Sequence, residues 1–260
     1  MQTQLSAPVQ TSKAAEIIKV LVGPTCRPQP YLLPKRQLCF NSPYLRTLIE
    51  KAEPSRTICL PHDDPAAMEL LITWMNYEQA KPCHQRGAEL EKKIKTKDKE
   101  GVPIAIKVWV LAHRLGGPCL VLRDECMRYL YETCAMPPSG KTGLVITPAI
   151  GMYAFQNAST RIELRHLVFA CLARDGLQGS GSVCTWDAVL KQVQGLRAAL
   201  QKAWDGSKTE RVEKLLQLED YMCAPGEITP GWYQKQVASR GLLEIAGVAW
   251  MKMDWGEELD

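Results

Sequence analysis

Residues 135–142 are Ala-Met-Pro-Pro-Ser-Gly-Lys-Thr, ending in the Gly140-Lys141-Thr142 triplet of a phosphate-binding loop. Such a loop follows a strand and opens a helix, so that its amides surround the phosphates. Here the preceding residues 125–132 are helix-forming, and Pro137-Pro138 removes two of the donating amides. A surface turn is the expected structure, and nucleotide binding through Lys141 is the weaker alternative. Metal chemistry has little to build on. The four histidines are His62, His84, His113 and His166, and none forms a His-Glu-x-x-His pair. Cys83-His84 stands without a Cys-x-x-Cys partner. Cys39 and Cys126 would need a nearby base to act as nucleophiles, so buried packing is their default role. No Gly-x-Ser-x-Gly elbow and no Gly-x-Gly-x-x-Gly fingerprint occurs. The sequence therefore predicts no active site, no cofactor and no metal.

The totals narrow the class further. The net charge is +4 over 260 residues, a small excess for a chain that grips a nucleic-acid backbone. Ten cysteines are scattered among apolar neighbours, as in reduced proteins of the cytoplasm or nucleus. Residues 1–15 lack an apolar signal region, and no run approaches about 18 consecutive apolar residues, so no membrane partner is expected.

The elements that must carry any function can be read from pattern. Residues 1–15 form a polar tail expected to be disordered. Ile17–Val22 is a β-branched run stopped by Gly23-Pro24, and residues 31–33 between Pro30 and Pro34 suggest a second strand. Residues 39–50 read as helical with a start at Ser42-Pro43, which places Tyr44, Leu45, Leu48 and Ile49 on one face. Thr57–Leu60 is a third strand. Asp64-Pro65 starts a helix with Met68, Leu71, Ile72 and Met75 inward, fading near Tyr77. Residues 79–102 mix lysines with acids and few apolar groups, and predict a solvated, mobile insertion. The alternative is a transcription-related or nucleic-acid-associated scaffold that uses its lysines (81–99) for nuclear import or phosphate binding, weakened by the interspersed acids.

Helices follow after Pro103, stopped by Gly116-Gly117-Pro118, and over about 119–133. Residues 136–147 are a loop. Further helices start at Thr147-Pro148 and at a Thr160–Glu163 capping box, the latter closed by Asp175-Gly176. A Gly/Ser linker, 176–182, precedes helices expected at about 185–204, 209–223 and after Thr229-Pro230, within a tryptophan-rich last third. The fold class expected is α+β: a small mixed sheet covered by helices, then a mostly helical C-terminal extension. The divisions expected are 1–15, 16–135 with its insertion at 79–102, a helical continuation at 136–176, and a helical region at 183–260.

Four segments carry a resemblance. Residues 34–45, Pro-Lys-Arg-Gln-Leu-Cys-Phe-Asn-Ser-Pro-Tyr-Leu, resemble the segment that BTB/POZ domains write roughly His-Lys-x-x-Leu-x-x-x-Ser-x-x-Phe. Residues 58–69 are similar to that family's Ile-x-Leu-x-Asp-Asp-Pro-x-x-Phe-Glu. Residues 74–77, Trp-Met-Asn-Tyr, match the end of the same helix, and residues 109–116 are similar to its Tyr-x-Leu-Ala-x-Lys-Leu-Gly. Thr147-Pro148 and Leu164-Arg165-His166-Leu167 resemble segments of the fungal BTB-domain group. The likeness spans residues 17–175. Pro34 stands where the family has His, and Gln37 replaces an apolar residue. The resemblance implies a BTB/POZ-like domain at 16–135 that works by self-association and recruitment of a protein partner. In many members that partner is a cullin, bound by a ubiquitin-ligase substrate adaptor, but the hydrophobic-x-Glu cullin signature has no match after Tyr77. The expected interaction residues are Tyr44, Leu45, Leu48 and Tyr77, in a homo-oligomer. Nucleic acid is not the expected partner.

Overall fold

A computed structural model describes residues 16–24, 30–80, 90, 92–135, 143–158, 162–177, 184–207 and 218–222. The architecture is mixed α+β: a three-stranded sheet followed mainly by helices. Strand β1 (Ile17–Val22) alternates, with Ile18, Val20 and Val22 buried and Ile17 and Lys19 outward, the period-2 pattern of a half-buried strand. It pairs antiparallel with β2 (Tyr31–Pro34), Ile18 opposite Leu33. It pairs parallel with β3 (Thr57–Leu60), Val20 opposite Ile58. The order is β2-β1-β3. A parallel pair needs a crossover, and the segment between β2 and β3 supplies it as two helices.

Those helices are α1 (Lys35–Asn41) and α2 (Pro43–Ala52): α2 begins at the expected Ser42-Pro43 start, and residues 39–41, expected with it, belong instead to α1. Pro43 disfavours helical backbone at the residue before it, and Ser42 is extended (φ −146°, ψ 118°). Ser42 caps α2 by accepting from the Leu45 N–H at 3.1 Å and donates its own hydroxyl to the Leu115 carbonyl at 2.7 Å.

Helix α3 (Pro65–Ala80) begins where Asp64-Pro65 predicts. Asp64 Oδ1 accepts from the N–H groups of Ala66 (2.8 Å) and Ala67 (3.4 Å). Met68, Leu71 and Met75 are fully buried, with Leu70 and Trp74 beside them. Ile72 is only half-buried and yields its expected place to Leu70.

Helices α4 (Ile104–Leu115) and α5 (Cys119–Leu130) form a hairpin at the centre of the core. Their joint holds Gly116 (φ +63°) and Gly117 (φ +58°). A Cβ on Gly117 would lie 2.8 Å from Pro43 Cδ, so this glycine lets the hairpin close against the start of α2. A π-helical turn, Tyr131–Ala135, extends α5. Arg174 donates to the carbonyls of Cys134 (2.7 Å) and Ala135 (2.5 Å) at the end of that turn.

Helix α6 (Pro148–Asn157) starts at the expected Thr147 cap, and α7 (Ile162–Asp175) ends at Gly176. The capping box at 160–163 falls partly outside the described residues. The helix expected over 185–204 is two, α8 (Trp186–Gln192) and α9 (Leu196–Asp205), parted at Gly195 with φ +75°. Of the later elements, a 3-10 turn, Leu218–Tyr221, lies within the described residues.

The insertion expected as solvated and mobile is corrected over 92–102. Leu90, Ile94 and Val102 are buried, Lys97 bridges to Pro103, and Lys93 Nζ donates to Thr73 Oγ1 at 3.0 Å. Three apolar anchors among many charges suffice to bind it to the core. One apolar cluster unites sheet, α1–α9 and Tyr221. Among the described residues, no helix is long and apolar enough to cross a membrane.

Candidate interaction surface

The α1–α2 hairpin is set on the body by polar groups beneath it. Gln37 and Asn41, both buried, are satisfied: Gln37 Nε2 donates to Asn76 Oδ1 at 3.0 Å, and Asn41 Nδ2 to the Gln37 carbonyl at 2.9 Å. The Cys119 thiol donates to the Asn41 carbonyl at 3.1 Å. Buried polar groups with partners fix one geometry, because leaving them unmade is costly. Gln37 thus occupies an inward position without an orphaned amide.

The outer side carries rings. Phe40, near the end of α1, is 50% exposed, and Tyr44, in the first turn of α2, is 39% exposed. Leu48, one turn beyond Tyr44, is half-buried. Large apolar groups this open on an ordered hairpin are the usual material of a contact surface. Leu45 does not join them. It is 0% exposed, with Ile49 at 1%, so its expected place at an interface is corrected. A residue three positions after a cap at Ser42 points down into the body, and its energy goes to the core. Tyr77 lies in the last turns of α3, but its side chain is outside the described residues. The residue that sequence reasoning missed is Phe40. Its signal was available in Cys39-Phe40-Asn41, but the single helix read there gave no reason to place it outward.

Behind Tyr44 lies the charged part of the surface. The Arg114 guanidinium stands over the Tyr44 ring, 5.8 Å from its centroid, a cation–π contact. Arg114 also pairs with Asp63. Burial is the larger influence on Asp63 and pushes its carboxyl up, against the pull of Arg114.

A second charged group lies on α4. Lys107 Nζ reaches Asp64 Oδ2 and Asp98 Oδ2, each at 2.5 Å, and sits 5.4 Å from the Tyr153 ring centroid. Burial works against the Lys107 ammonium, but hydrogen bonds and charge from Asp64 and Asp98 outweigh it and raise its pKa. At Asp98 burial raises, yet the bond from Lys107, the Val102 and Glu100 amides and the Lys107 charge together hold the carboxyl low. Burial pushes the Tyr153 hydroxyl up to about 12. Lys107 is thus a charged tie between three segments and not a neutral nucleophilic amine.

The remaining candidates fall in two classes. Lys141, Cys83 and His84 lie outside the described residues. His113 stacks on Trp109, with centroids 5.4 Å apart, and its Nδ1 is 3.4 Å from Arg123 Nη1. His166 Nδ1 is 3.0 Å from the Tyr221 hydroxyl, both buried. Cys126 is buried, and burial raises its thiol pKa strongly; burial also raises that of Cys39. A cavity of about 270 Å³ is lined by Cys134, Leu144, Ile146, Cys171 and Arg174. Burial pushes the Cys134 thiol up to about 12 and the Cys171 thiol higher still. That is the opposite of what activates a cysteine nucleophile. Among the described residues, no group of three or more His, Cys, Asp or Glu could hold a metal ion. In comparison with known proteins, no family model matches the chain and no curated protein is similar to it.

Proposed function

We propose that this chain is a non-enzymatic protein-interaction module of the BTB/POZ type, which self-associates and recruits a protein partner. The observation that carries the reading is the exposure of Phe40 and Tyr44 on either side of the Ser42 joint, on a hairpin whose underside is fully bonded. An apolar surface on a rigid base loses little conformational entropy on association. The order of elements supports the family part of the reading: two antiparallel strands, a helix pair, a strand parallel to the first, a helix, then a helical hairpin. That is the order the motif resemblance implies.

A two-fold arrangement of this face would bring like surfaces together, as in most homodimers. Light scattering on the pure chain tests this. A dimer or larger assembly is expected, converted to monomer by Phe40→Ser with Tyr44→Ser at unchanged circular dichroism. A strict monomer at tens of micromolar overturns the self-association.

A further inference from the structure

In the sequence, residues 92–102 read as lysines diluted by acids. The fold turns one of the two acids inward. Asp98 turns inward: its Oδ1 accepts from the N–H groups of Glu100 and Val102, each at 2.8 Å, and its Oδ2 pairs with Lys107. The turn is closed by backbone bonds from Asp98 to Val102 (3.0 Å), Gly101 to Asp98 (3.1 Å) and Ile104 to Thr96 (2.9 Å). Ile94 and Val102 anchor it from within. Lys92, Lys95, Lys97 and Lys99 are exposed, and Glu100 is the exposed acid among residues 92–102. The carboxylate that would have cancelled their charge is spent on Lys107.

From this placement we infer that the exposed Lys92, Lys97 and Lys99 form a docking surface for an acidic segment of a protein partner. Held on a closed turn, the ammonium groups meet carboxylates without the cost of ordering a loop. Such a contact steers association and fixes register more than it adds affinity, and it is screened by salt. An acidic polypeptide fits better than nucleic acid. Residues 92–102 contain no aromatic side chain on which a base could stack, and Glu100 would repel a continuous row of phosphates. Flexible Asp and Glu side chains can place their charges on the lysines and avoid Glu100.

The test uses the full chain and a fluorescein-labelled polyglutamate peptide, read by fluorescence anisotropy. Binding is expected at about 0.01 M salt and should weaken severalfold by about 0.15 M, as the screening length falls from about 30 Å to about 8 Å. K92E/K97E/K99E should weaken binding about tenfold and K92Q/K97Q/K99Q by less. K191E/K202E, on exposed positions of α8 and α9, should leave it unchanged. No binding at low salt, an equal loss in K191E/K202E, or tighter binding of single-stranded oligouridylate than of the peptide each overturns the assignment. Self-association is read separately by light scattering, so the two readings fail independently.

Discussion

The α1–α2 hairpin buries Gln37, Asn41 and Ser42 and shows two rings, Phe40 and Tyr44, beside exposed charges such as Arg36 and Arg46. The 92–102 turn hides its apolar groups and one carboxylate, and shows its lysines. Gln37, Asn41 and Ser42 are bonded beneath the first; Ile94, Val102 and the Asp98–Lys107 pair lie beneath the second. In both, the buried side holds geometry and the exposed side faces water. The difference is in what fastens them. The hairpin is seated by neutral hydrogen bonds and apolar packing, each modest. The turn depends on a charge cluster, which costs little while complete and much when broken. The turn should therefore be the more fragile of the two when one residue is removed.

The largest effect tests that fragility. Lys107→Met leaves Asp64 and Asp98 facing each other without a cation, and should cost about 4 kcal/mol in urea unfolding. A loss under about 1 kcal/mol would mean that water already compensates the carboxylates. On the hairpin side, Leu45→Ala should cost about 3 kcal/mol through the cavity it leaves, with self-association unchanged in the folded fraction. Loss of association at near-normal stability would return Leu45 to the surface. Ser42→Ala removes a cap and leaves the Leu115 carbonyl without its hydroxyl donor, worth about 1–2 kcal/mol by thermal or urea melts.

A smaller effect separates two neighbouring carboxyls by sign. Asp98 has a lowered folded-state pKa, so its stabilisation is present above the unfolded value of about 3.9 and is lost as pH falls through the folded one. Asp63 has a raised folded-state pKa, so its contribution is fully present below that unfolded value and is lost as pH rises through its own folded one. Urea midpoints between pH 5 and pH 3 should thus fall less in Asp98→Asn than in the parent chain. A steeper fall in the variant contradicts the assignment. Smallest on stability is Phe40→Ser with Tyr44→Ser, within about 0.5 kcal/mol for exposed positions, although its effect on association should be complete. A large stability loss there would make the rings part of the core.

Much of the framework was legible because it rests on local chemistry. Asp64-Pro65 and Thr147-Pro148 predicted helix starts that the fold contains, since a short polar side chain and a proline satisfy the first turn without distant help. Strand β1 followed from alternation in Ile17–Val22. The helix start expected at Ser42-Pro43 is also present, but residues 39–41, read together with it, belong to the separate helix α1. The helix expected over 185–204 is broken by Gly195 in a left-handed conformation, where apolar periodicity continued across the backbone break and masked it. Of the one face expected to hold Tyr44, Leu45, Leu48 and Ile49, Leu45 and Ile49 are buried, Leu48 is half-buried and Tyr44 is exposed, while the exposure of Phe40 was not read.

The sequence by itself determined the class of elements and their order, because propensity, capping and periodicity act over a few residues. It also set the apolar content that closes one core around the α4–α5 hairpin. Only the tertiary structure decided which side of each element faces water. Leu45 went inward because the Ser42 joint is pinned to Leu115, an interaction 73 residues away in the chain. Asp98 went inward because Lys107 waits on another helix, and the exposed lysines of the turn were left outside without it. Pairing across long separations pays for itself only in the folded chain, where the ends already meet, so no local window of residues reports it.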